Sequence, residues 1–202
     1  MKSYYNIILS CVFAVFILSG CASTKVERVD TDRQVDLSGE WNDFDAQKVS
    51  DEMIADCLDS PWLHEFVKEN GDNPVVIIGR VKNQSSEHIN TQVFIKQLER
   101  ALLNSGKVSF VASPDERDEL REEREDQQRG FTDPETVAEI GRETGANYML
   151  IGSLNSVKDA LKNKYVVLYQ VNLELVDLTT NKKVWIGQEE LKKVVTKSRL
   201  SL

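Results

Sequence analysis

The chain has 202 residues, 41% hydrophobic and 29% charged, which suits one domain with a tail or a domain with a helical extension. With 33 acidic residues against 25 Lys and Arg, its net charge of −8 argues against nucleic acid and an anionic membrane surface as partners. It argues more weakly against direct binding to an anionic cell-wall polymer.

Lys2 precedes Ile7–Leu18, an apolar run of 12 residues without a charge. A helix that crosses a bilayer needs about 20 apolar residues, so this run is too short to span and has the length of a secretory h-region. Leu18-Ser19-Gly20-Cys21 comes next. Small residues suit a signal peptidase, and the cysteine thiol can accept a diacylglyceryl group. Residues 1–20 are therefore expected to be a cleaved lipoprotein leader, and Cys21 the lipid-modified N-terminus. An ordinary leader with an incidental cysteine is the plainer alternative. Two or more acyl chains hold a protein stably in a bilayer, where one does so marginally. Ala22, in place of Asp, favours the outer membrane, periplasmic face, in a Gram-negative host.

Loss of Lys2 with the leader leaves 24 basic against 33 acidic residues, a net −9. Cys11 leaves with the leader and Cys21 is acylated, so Cys57 is left alone and no intramolecular disulfide is expected. It shares a helical stripe with Val49 and Met53, which suits a small buried residue.

Residues 21–38 read as the lipidated terminus and a flexible tether. The 17 residues from Ala22 to Ser38 are polar, without apolar periodicity, and reach about 60 Å at most. From Trp41 the pattern turns helical. Asn42 or Asp43 can cap, and Phe44, Val49, Met53, Ile54, Cys57 and Leu58 form the stripe. Ser60-Pro61 opens a second, short helix through Leu63, Phe66 and Val67, closed by Asn70-Gly71.

Val75–Val81 is almost wholly apolar and rich in β-branched residues, as in a strand covered on both faces. A polar loop, Lys82 to His88, leads to a helix carrying Ile89, Val93, Phe94, Leu98, Ala101 and Leu102. Asn104-Ser105-Gly106 ends it, and Val108–Val111 is the next strand. Strand, helix and strand within about 35 residues predict a parallel βαβ unit. Ser113-Pro114-Asp115-Glu116 is a capping box. It opens a charged helix to Arg129 whose only large apolar residue is Leu120, with favourable Arg121–Glu125 and Glu125–Arg129 spacings. This is a solvated helix or a projecting contact arm. Gly130 breaks it, and Asp133-Pro134 is expected to cap another helix through Val137 and Ile140. Three longer strands complete the chain: Asn147–Val157, Lys164–Asp177 and Lys183–Val195. In the second, Val167, Tyr169, Val171, Leu173 and Leu175 share one face, so the other is wetter. An antiparallel meander is expected. The fold class is α/β in the mixed α+β sense: a single domain over 39–202 with a mixed sheet of about five strands flanked by helices.

His64 sits on the short helix and His88 in the loop, and neither has a His or Cys at metal-ligand spacing, so no metal or cofactor is expected. No nucleophile elbow or phosphate loop is present, and the carboxylates cluster on the solvated helix rather than in unlike, half-buried pairs. The sequence assigns no catalytic residue. Asn83-Gln84-Ser85 matches a glycosylation acceptor, a pattern too short to carry weight. Trp62 and Trp185 suit a core or a binding hot spot.

Several segments resemble the LpoB-type lipoprotein activators of penicillin-binding proteins. They are Val81-Lys82-Asn83-Gln84-Ser85-Ser86-Glu87-His88-Ile89, Leu102 to Val108, Ile140 to Gly152, and Tyr169 to Trp185. The resemblance covers about residues 40–195, and the Gly-Ala-x-Tyr and Val-Trp pieces also fit domains related to the N-terminal domain of TolB. It implies a monomeric α/β domain on the outer membrane that docks on a bifunctional penicillin-binding protein and stimulates glycan polymerisation and cross-linking. The stimulation would be allosteric, with the active state bound more tightly than the resting one. The matched loop makes Asn83, Ser85, Ser86, Glu87 and His88 the candidate partner-binding residues. The chain departs from the family's long proline-rich tether, having no proline before Trp41. A structural subunit of an envelope or secretion complex, built on the same domain, is the alternative.

Overall fold

The computed structural model describes residues 26–30, 33–141 and 143–197. The expected leader and Cys21 lie outside the described residues. The chain divides into two units, 1–33 and 34–202. In the first, residues 26–30 have no regular structure. The helices and strands of the described residues all belong to the second.

Helix α1, Asp43–Asp59, starts at Asn42 with a reciprocal capping box. The Asp45 N–H donates to Asn42 Oδ1 and the Asn42 N–H to Asp45 Oδ2, both at 3.0 Å. Two donors that the first turn leaves open are thereby satisfied. The stripe Val49, Met53, Ile54, Cys57 and Leu58 is buried, as its spacing predicts. Helix α2, Pro61–Asn70, comes next, with proline at its first turn. Its Trp62 is buried, and the indole N–H donates to the carbonyl of Cys57 at 2.7 Å.

Strand β1, Val75–Asn83, leads through helix α3, Thr91–Asn104, to the two-residue strand β2, Ser109–Phe110. Helix α4, Pro114–Gln127, precedes three 14-residue strands: β3, Tyr148–Leu161, β4, Lys164–Asp177, and β5, Lys183–Thr196. The sheet order is β2-β1-β3-β4-β5. Strand β1 runs parallel to both β2 and β3, which explains its apolar run, and β3–β4–β5 is the antiparallel meander.

Apolar residues of β4 at every second position, Val167 to Leu175, are buried with Leu150 and Leu154 of β3 and with Phe94, Leu98 and Leu102 of α3. On the opposite face Ser153, Asn155, Gln170, Asn172, Gln188 and Glu190 hydrogen-bond among themselves. The sheet is therefore dry on one side and wet on the other over these strands. Helix α1 tracks β5 along its length: Asp45 meets Lys193, Glu52 meets Glu189, and Asp56 accepts the indole N–H of Trp185 at 2.9 Å.

Two expectations are corrected. The helix expected after Asp133-Pro134 is absent. Only one turn forms, with the Thr136 N–H donating to the Asp133 carbonyl at 2.9 Å. Gly141, at φ +83°, cuts the run short, and Ile140 is 56% exposed. So short a helix needs a packed apolar face, and here Val137 is only half-buried and Ile140 is exposed. In α4, Arg121 pairs with Asp118 and Glu143, and Arg124 also reaches Glu143, instead of the expected i,i+4 partners. A carboxylate from the segment before β3 meets the guanidinium fork with two oxygens, which i,i+4 geometry does not offer. The second unit begins at Gln34. The last five residues read as tether, 34–38, lie on it, because Asp36 finds a cation there.

Candidate functional site

The candidate loop begins where β1 ends. Asn83 is the last residue of the strand, and its side chain closes the turn. Its Oδ1 accepts from the Ser85 N–H at 3.0 Å and from the Ser85 hydroxyl at 2.7 Å, while its Nδ2 donates to the Glu87 carbonyl at 2.8 Å. The Glu87 N–H donates back to Ser85 Oγ at 3.2 Å. The Gln84 N–H donates to the Leu154 carbonyl and the Ser86 N–H to Ser156 Oγ, which fasten the loop to β3. A side-chain amide and a hydroxyl thus hold a tight polar turn that backbone bonds alone would leave open.

Glu87 points inward. Its Oε1 accepts from the Tyr169 hydroxyl at 2.5 Å and its Oε2 from the Trp41 N–H at 3.1 Å. Burial and the Glu87 carboxylate together push the Tyr169 phenol above its ordinary range and keep it a neutral donor. Trp41 packs edge-on against Phe94, centroids 6.2 Å apart, and Tyr169, 5.5 Å apart. One loop carboxylate therefore ties the entry of the chain to the middle of the sheet.

Lys193 anchors the same entry from β5. With its side chain 12% exposed, its ammonium meets Asp45 at 2.6 Å, Asp36 at 3.0 Å and the Glu40 carbonyl at 3.0 Å. The Lys193 ammonium, foremost among its neighbours, holds the Asp36 carboxyl below its usual range. The Tyr165 hydroxyl donates to the Ser38 carbonyl and the Tyr169 hydroxyl to Gly39's at 3.3 Å. Gly39 sits at φ +77°, and a Cβ there would lie 2.1 Å from Val195 Cγ2. Only glycine fits that approach.

Of the five candidate residues, Asn83, Ser85 and Glu87 build the loop and its tie to Trp41 and Tyr169. Ser86 and His88 are exposed. They face an open cleft of about 630 Å³, lined also by Trp41, Asp43, Val93 and Phe94, between the starts of α1 and α3. His64 is exposed on α2 and does not line it. Among the described residues no group of three His, Cys, Asp or Glu could hold a metal ion. Burial pushes the Cys57 thiol up to about 12, so it stays protonated inside the core. The arrangement offers shape and hydrogen bonds, as a docking surface does.

Sequence reasoning missed Lys193 and Tyr169 as partners of the entry segment. A signal was present for Lys193: in β5 it shares the inward parity of Leu191 and Val195, and an inward lysine calls for a buried acid.

The sequence model of the family described as peptidoglycan-synthase activator LpoB matches residues 45–191. Among solved structures, the chain is similar to the LpoB C-terminal domain from Salmonella enterica, at 18% identity over 73% of this chain and 98% of that one, with a TM-score of 0.41. The LpoB structure from Escherichia coli matches at 17% identity over 88% and 83%, with a TM-score of 0.41. Lipoprotein GNA1162 from Neisseria meningitidis matches at 14% identity over 64% and 88%, with a TM-score of 0.38. No match arises among the curated proteins.

Proposed function

This chain belongs to the LpoB family of peptidoglycan-synthase activators, and from that premise we propose that it is a lipoprotein, anchored through Cys21 in the outer membrane, that docks on a bifunctional penicillin-binding protein and stimulates it. The family match over residues 45–191 carries the reading. The ordered loop supports it, since it presents Ser86 and His88 beside the cleft without further folding. The leader pattern around Cys21 supports the anchor, and among the described residues no helix is long and apolar enough to cross a membrane.

Such an activator needs no reaction of its own. It acts by binding the synthase's active state more tightly than the resting one, and the difference in affinity sets the stimulation. A pull-down from membranes with the chain lacking residues 1–21 tests this. Recovery of a penicillin-binding protein, and faster glycan polymerisation when the two are mixed, is the expected result. Ser86→Ala with His88→Ala should weaken recovery about tenfold or more while leaving circular dichroism unchanged. No penicillin-binding protein recovered, together with no change in polymerisation, would sink the proposal.

A further inference from the structure

Residues Gln34–Trp41 run along the folded unit, and of them only Trp41 packs on its core. Leu37 is 93% exposed, Val35 is exposed, and the residues from 34 to 38 carry no regular structure beyond a bend. A short series of polar contacts holds them. The Asp36 carboxylate reaches Lys193, and Asn42 donates to it at 2.7 Å. The Ser38 and Gly39 carbonyls accept from Tyr165 and Tyr169, the Glu40 carbonyl accepts from Lys193, and the Trp41 N–H donates to Glu87.

We propose that Gln34–Trp41 is a releasable strap, latched at Lys193 and Glu87, that holds part of the tether against the domain and gives it up as extra reach. Most of the closure is independent of the strap: α1 has its own capping box, Lys193 also holds Asp45, and the strap's share of the core is the edge of Trp41 against Phe94 and Tyr169. Opening would therefore be local, below the free energy of global unfolding. Eight freed residues add up to about 26 Å. The release end of the latch lies in the candidate docking loop, because Glu87 holds Trp41 from that loop. Contact with Glu87 or with the cleft beside Trp41 would thus be felt by the strap. That the freed residues lengthen a tether rests on the lipid anchor proposed above; the strap itself does not.

Hydrogen exchange on the full chain, without lipid, tests the strap independently of the anchor. In the unaltered protein the Trp41 amide is expected to exchange by local opening, faster than the β4 amides of Tyr169 to Leu175. Gly39→Ala, which forces a Cβ against Val195, and Asp36→Ala, which removes one latch contact, should each speed Trp41 exchange about tenfold or more and leave β4 unchanged. Two unrelated perturbations converging on one segment distinguish release from misfolding. A Trp41 amide that exchanges only with β4, variants that leave it unchanged, or variants that speed β4 equally would each overturn the proposal.

Discussion

At the scale of single residues, the Tyr169–Glu87 bond concentrates the consequences. Glu87→Ala takes the near acceptor from the buried Tyr169 hydroxyl, leaving the Gly39 carbonyl at 3.3 Å, and takes the Trp41 N–H's acceptor as well; it should cost about 1–3 kcal/mol, read as a lower urea midpoint at constant slope. Tyr169→Phe should cost less, because Glu87 keeps the Trp41 N–H. The raised phenol also fixes a pH dependence. Its folded pKa lies above the unfolded value of 10.0, so its contribution is complete below pH 10 and is lost as pH rises beyond it. Unfolding free energy should fall above pH 10 more steeply in the natural chain than in Tyr169→Phe. Equal slopes would show that another group governs that limb. Asp36 acts in the opposite direction. Its depressed pKa gives a contribution present above the ordinary 3.8 and lost as pH falls further. Acid should loosen residues 34–41 before it loosens the core.

At the scale of elements, the foreseeable features were those that a local rule decides. Caps and proline placed α1, α2 and α4, and period-two alternation placed β4 and its dry face. The apolar run of β1 gave away its central position because two parallel neighbours demand it. The loop at Asn83 was legible as a motif, but its use was not. Nothing near Glu87 in sequence names Trp41 or Tyr169, 46 and 82 positions away. The helix expected after Asp133 failed for a related reason, since an apolar stripe forms a helix only where something packs on it. Helix α4 shows how little its own charges decide. Arg121, while keeping Asp118, and Arg124 both reach outside the helix to grip Glu143 at 2.9 Å. Glu143→Ala should therefore leave global stability nearly unchanged. Amide exchange along α4 should rise all the same, and a fully unchanged exchange pattern would show that the grip does not order the helix.

At the scale of the whole molecule, the wet and dry faces of the sheet divide the labour. Helices α1 and α3 close the dry face, and the cleft opens where both helices begin, beside Ser86 and His88. The entry segment runs to the same place. A partner at the cleft would meet the loop, the two helix starts and the strap together, so docking and tether geometry are bound to one location. Removing the strap residues 34–41 should leave the far-ultraviolet spectrum nearly unchanged while altering recovery of the synthase in the pull-down. An unchanged recovery would separate docking from the strap.

Helix α1, lying along the outermost long strand, has one more effect. The rim of a sheet can recruit the rim of a neighbour, and proteins crowded on a surface meet rim to rim often. Here α1 lies over the dry face of β5 and its Asp45 holds Lys193, an inward-pointing charge on the rim strand of the kind that discourages such pairing. Crowded copies would then stay apart instead of growing into a ribbon.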